Sequence, residues 1–237
     1  MILKPLKNSH SYLIFILMIF SLFFFIPSYF NSDFLHHNIL ALLKSNQLDG
    51  KSSRIRIIFF RNSDGFYLPK NKDFSYVISS ELLDSDLYSF NQKGLKVGVF
   101  NQYKLGTCEL NNLKTTNRII NVLASIYTKD NSLDDSIILN EKNNIVEFTS
   151  GNIFLILDNQ IITPPLSSGC INGIIRKKIL EFKNFLNFKI FEKDIKKNDL
   201  INAKEIFSTN VIYGLRWVSS LREKKYNSKH TNLIIEK

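Results

Sequence analysis

Between Ser136 and Thr163 the chain reads "SIILNEKNNIVEFTSGNIFLILDNQIIT". The apolar runs in this stretch are too short for stable helices, are rich in Ile, and are broken by the polar turns "EKNN" and "SG" and by a hairpin-like "DN". They predict strands at "SIILN", "NIVEF" and "NIFLILDNQIIT", with Pro164 and Pro165 ending the sheet. A sheet of this kind needs helices or a second sheet over its apolar faces, which places the chain in the α+β class.

The flanking sequence supplies those helices. "KTTNRIINVLASIYTKD" predicts a helix over 115–129 with Ile119, Val122, Leu123 and Ile126 on one face, and a second amphipathic helix starts at Ile174 with Ile175, Ile179, Phe182 and Leu186 on one side. A helix or turn at "KNDLINA" and a strand "KEIFSTNVI" leading into "GLRWV" complete the C-terminal region. Upstream, "LHHNILALLKSNQ" reads as a short amphipathic helix carrying Leu35, Ile39, Leu42 and Leu43, followed by strands at "RIRIIFFRN", "SYVISSEL" and "LKVGVFNQY". The boundaries that result are an apolar segment 1–30, an incomplete small α+β domain 31–105, a connector 106–113 and a larger domain 114–237.

The 237 residues, 44% of them hydrophobic, are enough for a buried core. The net charge of +10 comes from lysines spread along the chain, without an aromatic and basic recognition motif, so it reads as solvated surface and excludes a nucleic-acid role. Adjacent His36 and His37 point in different directions and give no metal site, and Cys108 and Cys170 lack metal-ligand spacing and read as small buried apolar residues in a reducing compartment. One stretch does not fit a soluble domain. "YLIFILMIFSLFFFIPSYF", Tyr12 to Phe30, is uncharged and follows Lys4 and Lys7, so it is long enough for a membrane anchor, or serves as a core element.

Three features carry chemistry. Lys114 stands where a helix begins, and Glu147 lies 33 residues on at the end of a strand. "GII" at 173–175 places a glycine turn and two backbone amides at a helix start, a ready cradle for a phosphate. "STN" at 208–210 adds hydroxyl and amide donors. Each alone reads as an ordinary surface or turn element. Together, a lysine amine, a carboxylate and a phosphate cradle are the parts needed to hold pyridoxal phosphate.

The blocks "LKTTNRIINVLASIYTKDNSLDDSIILNEKNNIVEFTSGNIFLI", "ITPPLSSGCINGIIRKKILE" and "AKEIFSTNVIYGLRWV" resemble, in order and spacing, the class IV aminotransferase family, and the match runs from about residue 54 to the C-terminus. The "K-x-x-N-R" form of the lysine block is closest to its 4-amino-4-deoxychorismate lyase branch. The resemblance implies a two-domain fold-type-IV pyridoxal-phosphate enzyme, with a small α/β N-terminal domain, a larger domain built on a barrel-like sheet with flanking helices, and the cofactor between them. It implies Lys114 as the Schiff-base lysine and catalytic base, Glu147 as the partner of the pyridine nitrogen, Ile174 and Ile175 as backbone phosphate donors, and Asn210 in the block of further phosphate contacts. Arg56 matches a position on the substrate side. The implied reaction is aminodeoxychorismate lyase, with a branched-chain or D-amino-acid aminotransferase as the alternative; either acts on a small molecule, as a homodimer, in the cytoplasm. Residues 1–30 lack the family's "H-x-x-R-L" block, whose arginine grips the phosphate. That departure leaves a truncated or frame-shifted start with an inactive remnant, or a membrane-anchored variant, as the rival expectations.

Overall fold

The computed structural model describes residues 29–84, 88, 90–185 and 187–236, and these fall into two compact units, one within residues 4–87 and one from Tyr88 onward. Most of the apolar run at Tyr12–Phe30 therefore lies outside the described residues. Its last member, Phe30, is a core residue of the first unit, and among the described residues no helix is long and apolar enough to cross a membrane.

The first unit is one helix on a two-stranded ribbon. Helix α1 (Ser32–Ser45) begins at Asn31, whose side chain accepts from the Phe34 amide at 3.0 Å, satisfying one of the four amides that a helix start leaves open. Strands β1 (Ser53–Arg61) and β2 (Phe74–Leu82) pair antiparallel, Ser53 opposite Leu82. Phe30, Leu35 and Phe59 are buried, with Phe34, Phe74 and Tyr76 packed around them in edge-on ring contacts such as Phe30 on Tyr76 at 4.9 Å. His36 and His37 are exposed, and no metal-binding group of side chains occurs among the described residues.

The second unit is a closed sheet. Strand β3 (Leu95–Leu105) runs parallel to β4 (Asp135–Asn140), with α2 (Ile119–Asp130) crossing between them. From β4 the chain meanders through β5 (Ile145–Phe148), β6 (Asn152–Leu157) and β7 (Gln160–Thr163). Helix α3 (Ile174–Glu181) then leads to β8 (Asn184–Phe185) and β9 (Phe188–Glu192), the latter parallel to β7. Helix α4 (Lys197–Asn202) precedes β10 (Glu205–Asn210), β11 (Gly214–Leu221) and the two-residue β12 (Lys224–Lys225). β10 pairs with both β11 and β6, and β11 with β3, so β6, β10, β11, β3, β4 and β5 close on themselves as a six-stranded barrel, with β7, β9 and β8 as an extension.

The barrel interior is filled by alternate residues of these strands, among them Val97, Ile137, Leu139, Ile145, Phe148, Ile153, Leu155, Ile206 and Val218. The outer face carries the helices: Ile120, Leu123, Ala124 and Tyr127 of α2 pack on Phe100, Ile138 and Val146, while Ile175 and Ile179 of α3 pack on Phe154 and Phe207. The last helix, α5 (Lys229–Glu236), has its first turn held by Glu205, fully buried, which accepts from the amides of His230 and Thr231 at 2.9 and 2.8 Å.

Several sequence expectations are corrected here. Of the stripe assigned to the core face of α2, Ile119, Val122 and Ile126 are 62, 53 and 51% exposed, because the helix turns its i, i+3, i+4 set from Ile120 inward instead. Helix α3 stops at Glu181, and Phe182 is half exposed; Leu186, placed on the same helix face by periodicity, lies outside the described residues. Lys183 and Asn187 take positive φ and turn the chain into β8 and β9, strands the sequence reading did not anticipate. "LKVGVFNQY" is a barrel strand of the second unit, paired with β4 and β11. Cys108 is exposed; only Cys170 is buried, and burial pushes its thiol up to about 12, which leaves it protonated and inert.

Candidate functional site

A row of opposed residues runs around the outside of the barrel. Ile138 faces Glu147, Glu147 faces Asn152, and Asn152 faces Thr209, so Glu147, Asn152 and Thr209 project from one face of the sheet. Three buried polar groups in a row need partners, and the loops on that face provide them.

Glu147 is 1% exposed. Its Oε2 accepts the Ile171 amide at 2.8 Å, and its Oε1 lies 3.5 Å from the Asn121 amide nitrogen and 3.6 Å from an Arg118 guanidinium nitrogen. Burial pushes its carboxyl above the usual range; Arg118, the Ile171 and Asn121 donors and the charge of Lys114 work against that rise, in that order. Lys114 is itself exposed, and its effect on Glu147 places amine and carboxylate in one electrostatic neighbourhood.

The segment that carries Lys114 is pinned by Asn112. Its side chain donates to the carbonyls of Leu166 and Cys170 at 2.9 and 2.7 Å, and its carbonyl accepts the Asn172 amide at 3.0 Å. The loop 166–172 is thereby stitched to the lysine segment on one side and, through Ile171, to Glu147 on the other. Asn152 completes the stitch by donating to the Ile171 carbonyl at 2.7 Å.

From this loop the chain enters α3 through Gly173, an N-cap without a side-chain cap, so the first amides of the helix, at Ile174 and Ile175, have no intrahelical partner. A Cβ at position 173 would sit 2.0 Å from Asn152 Oδ1, which explains glycine here: the chain passes directly over the buried Asn152. Across the sheet from Asn152, Thr209 is 1% exposed and its hydroxyl is one of the buried polar atoms without a partner. An uncapped helix start and an orphaned hydroxyl on the same barrel face are donors of the kind that suit an anion.

The structure therefore brings Lys114, Glu147, Ile174 and Ile175 into one connected set of segments on one end of the barrel wall. Asn210 stands apart in its bonding: its amide donates to Ser150 O at 2.8 Å, and its carbonyl oxygen accepts from the amides of Ile212 and Tyr213, so its side chain closes the β10–β11 turn. In the "STN" block it is Thr209 whose hydroxyl is unpaired. Arg56 lies exposed on β1 of the first unit, opposite Ser79. The sequence reading held Arg118 only as part of the "K-x-x-N-R" block and Thr209 only as part of "STN", without giving either a role of its own, and it missed Asn121 and Asn152. Arg118 and Asn121 stand three apart at the start of α2, a helical spacing that could have flagged them as a pair; Asn152 and Thr209 become neighbours only through the β6–β10 pairing.

The Amino-transferase class IV family model matches residues 20–221. The aminodeoxychorismate lyase of Vibrio harveyi is 28% identical over 186 residues, covering 77% of this chain and 68% of that protein. The mitochondrial branched-chain-amino-acid aminotransferase 1 of Arabidopsis thaliana is 34% identical over 87 residues, 37% of this chain and only 23% of that protein. The solved structure of a branched-chain amino acid aminotransferase from Thermobaculum terrenum in its PLP-form superposes with a TM-score of 0.76 at 18% identity, covering 94% of this chain and 71% of that one, which shows a common fold.

Proposed function

The chain belongs to the class IV aminotransferase family, and from that premise we propose that it is a pyridoxal-phosphate enzyme cleaving 4-amino-4-deoxychorismate to 4-aminobenzoate and pyruvate. The observation that carries this reading is the set of hydrogen bonds that ties the segment before Lys114, through the loop 166–172, to buried Glu147 beside the uncapped start of α3. When bound, the cofactor supplies an electron-withdrawing ring that stabilises negative charge at the substrate α-carbon. The chain's own residues do the rest. Lys114 would attach the cofactor and, once released as an amine, would take and return the α-proton. Buried Glu147 would pair with the ring nitrogen, the Ile174 and Ile175 amides with the Thr209 hydroxyl would hold the phosphate, and Asn152 fixes the loop that joins these parts by donating to the Ile171 carbonyl.

The lyase is favoured over a branched-chain aminotransferase by extent: likeness to the Vibrio lyase spans most of the chain, whereas likeness to the Arabidopsis aminotransferase is confined to 87 residues. A lyase turns over without an amino acceptor. Purified protein given pyridoxal phosphate and aminodeoxychorismate alone is expected to release pyruvate; activity that appears only when a 2-oxo acid and an amino acid are supplied would move the assignment to the aminotransferase.

The same reading includes a homodimer, supported by the exposed stripe Ile119, Val122 and Ile126 on α2, which a single chain leaves in water. Sedimentation at micromolar concentration is expected to give twice the 27.5 kDa chain mass; a monomer would remove dimerisation from the proposal.

A further inference from the structure

Arg118 stands at the N-cap of α2 with 12% of its side chain exposed, and of its three guanidinium nitrogens only one has partners, the Asn111 carbonyl at 3.3 Å and Glu147 Oε1 at 3.6 Å. A guanidinium this buried is desolvated at a cost that one neutral hydrogen bond does not offset, and the nearby carboxylate is the counter-charge that makes the position tolerable. The dependence runs both ways. Glu147 is buried more deeply still, and the groups facing it from the packed elements are Arg118 and Asn121 from the α2 end, Lys114 from the preceding segment and the Ile171 amide from the loop before α3, with the neutral Cys170 thiol close by. Only two of these are cations. Lys114 is exposed to solvent and, once it carries the cofactor, has lost its ordinary amine; Arg118 remains as the permanent buried charge.

We infer that Arg118 is a positioning residue that holds Glu147 as the carboxylate, so that a proton shared between Glu147 and a bound ring nitrogen rests on the nitrogen and keeps the ring electron-withdrawing. This rests on the reading of Glu147 as the partner of the pyridine nitrogen. No bond is made or broken by Arg118; it selects which of two acceptors one proton occupies. Without its charge Glu147 takes the proton, donates it as a hydrogen bond to a neutral ring nitrogen, and the cofactor is held but electronically weakened.

Two measurements test this, and they fail separately. The first uses the full chain without added cofactor and follows urea unfolding between pH 5 and 9. Glu147 has a folded-state pKa raised above its unfolded value, so its share of stability is fully present below the unfolded pKa and is lost as pH rises through the folded one. Arg118→Met keeps the apolar stem and removes the charge; it is expected to carry that loss upward by at least about one pH unit, a tenfold change in proton affinity. Arg118→Lys should follow the parent profile, and adding Glu147→Gln to both the parent and the Arg118→Met variant should abolish the difference between their profiles. A variant that folds only at the acid end is the same result in a stronger form. Coincident profiles for the parent and Arg118→Met overturn the inference. The second measurement loads the protein with pyridoxal phosphate labelled with nitrogen-15 in the ring. The ring nitrogen should resonate as protonated in the parent and Arg118→Lys and move toward the neutral value in Arg118→Met; an unmoved resonance also overturns the inference. A parent chain that binds no pyridoxal phosphate defeats the cofactor reading itself, and the unfolding profiles then decide the Arg118–Glu147 coupling on their own.

Discussion

On the proposed function, Lys114→Ala is expected to lower pyruvate release from aminodeoxychorismate by at least about 10³-fold, because the variant would lose both the attachment point of the cofactor and the group that moves the α-proton. The fold should not notice. Lys114 is exposed and precedes α2, so its truncation opens no cavity, and it is the weakest of the groups acting on Glu147. The diagnostic result is therefore a pair: lost turnover and lost lysine-bound cofactor absorbance, with an unchanged urea midpoint. Turnover above a few per cent of the parent would show that Lys114 is the surface charge it resembles in isolation. A fall in stability of similar size to the fall in activity would show that the residue acts through folding.

Glu192→Ala is expected to destabilise the fold around the site, although it lies outside it. Arg176, in the first turn of α3, is 2% exposed, donates to the Pro164 carbonyl at 2.7 Å and pairs with Glu192 of β9; its Nε already has no partner. Removing Glu192 leaves a buried guanidinium with one neutral acceptor. Breaking a buried pair from one side costs about 3 to 5 kcal/mol, and the partial exposure of Glu192 argues for the lower end, about 3 kcal/mol or about 6 to 12 °C in Tm for a unit of this size. Since α3 carries the amides proposed to face the phosphate, pyridoxal-phosphate affinity should fall with stability. Calorimetry of the two proteins decides it: a shift under about 2 °C would mean that water replaces the carboxylate and that the pair is a surface contact.

These expectations draw on different levels of information. Lys114, Glu147 and the "GII" turn could be proposed from the chain alone because each belongs to a local pattern, although α2 begins only at Ile119 and not directly after Lys114. The strands from Ser136 to Thr163 were legible for the same reason, since alternation and turn residues act over a few positions. What faced inward was less legible. Helix α2 is apolar on two sides, and periodicity alone selected Ile119, Val122 and Ile126, which the fold leaves in solvent, over Ile120, Ala124 and Tyr127, which it packs on the barrel. An isolated helix has no preferred inner face when both stripes are apolar; only the sheet it packs against chooses.

The sequence by itself determined that the chain is α+β, that its middle is a meander of short strands, and which charged residues could carry pyridoxal-phosphate chemistry. Tertiary structure decided that β6 pairs with β10 and closes the barrel, since that contact spans about 50 residues of chain and no local propensity encodes it. The closure sets Glu147, Asn152 and Thr209 side by side, buries Glu147 and Arg118 together, and leaves the Thr209 hydroxyl in want of a partner. A carboxylate's proton affinity depends on the water it loses and the charges it gains, and both are fixed only when the strands are in place.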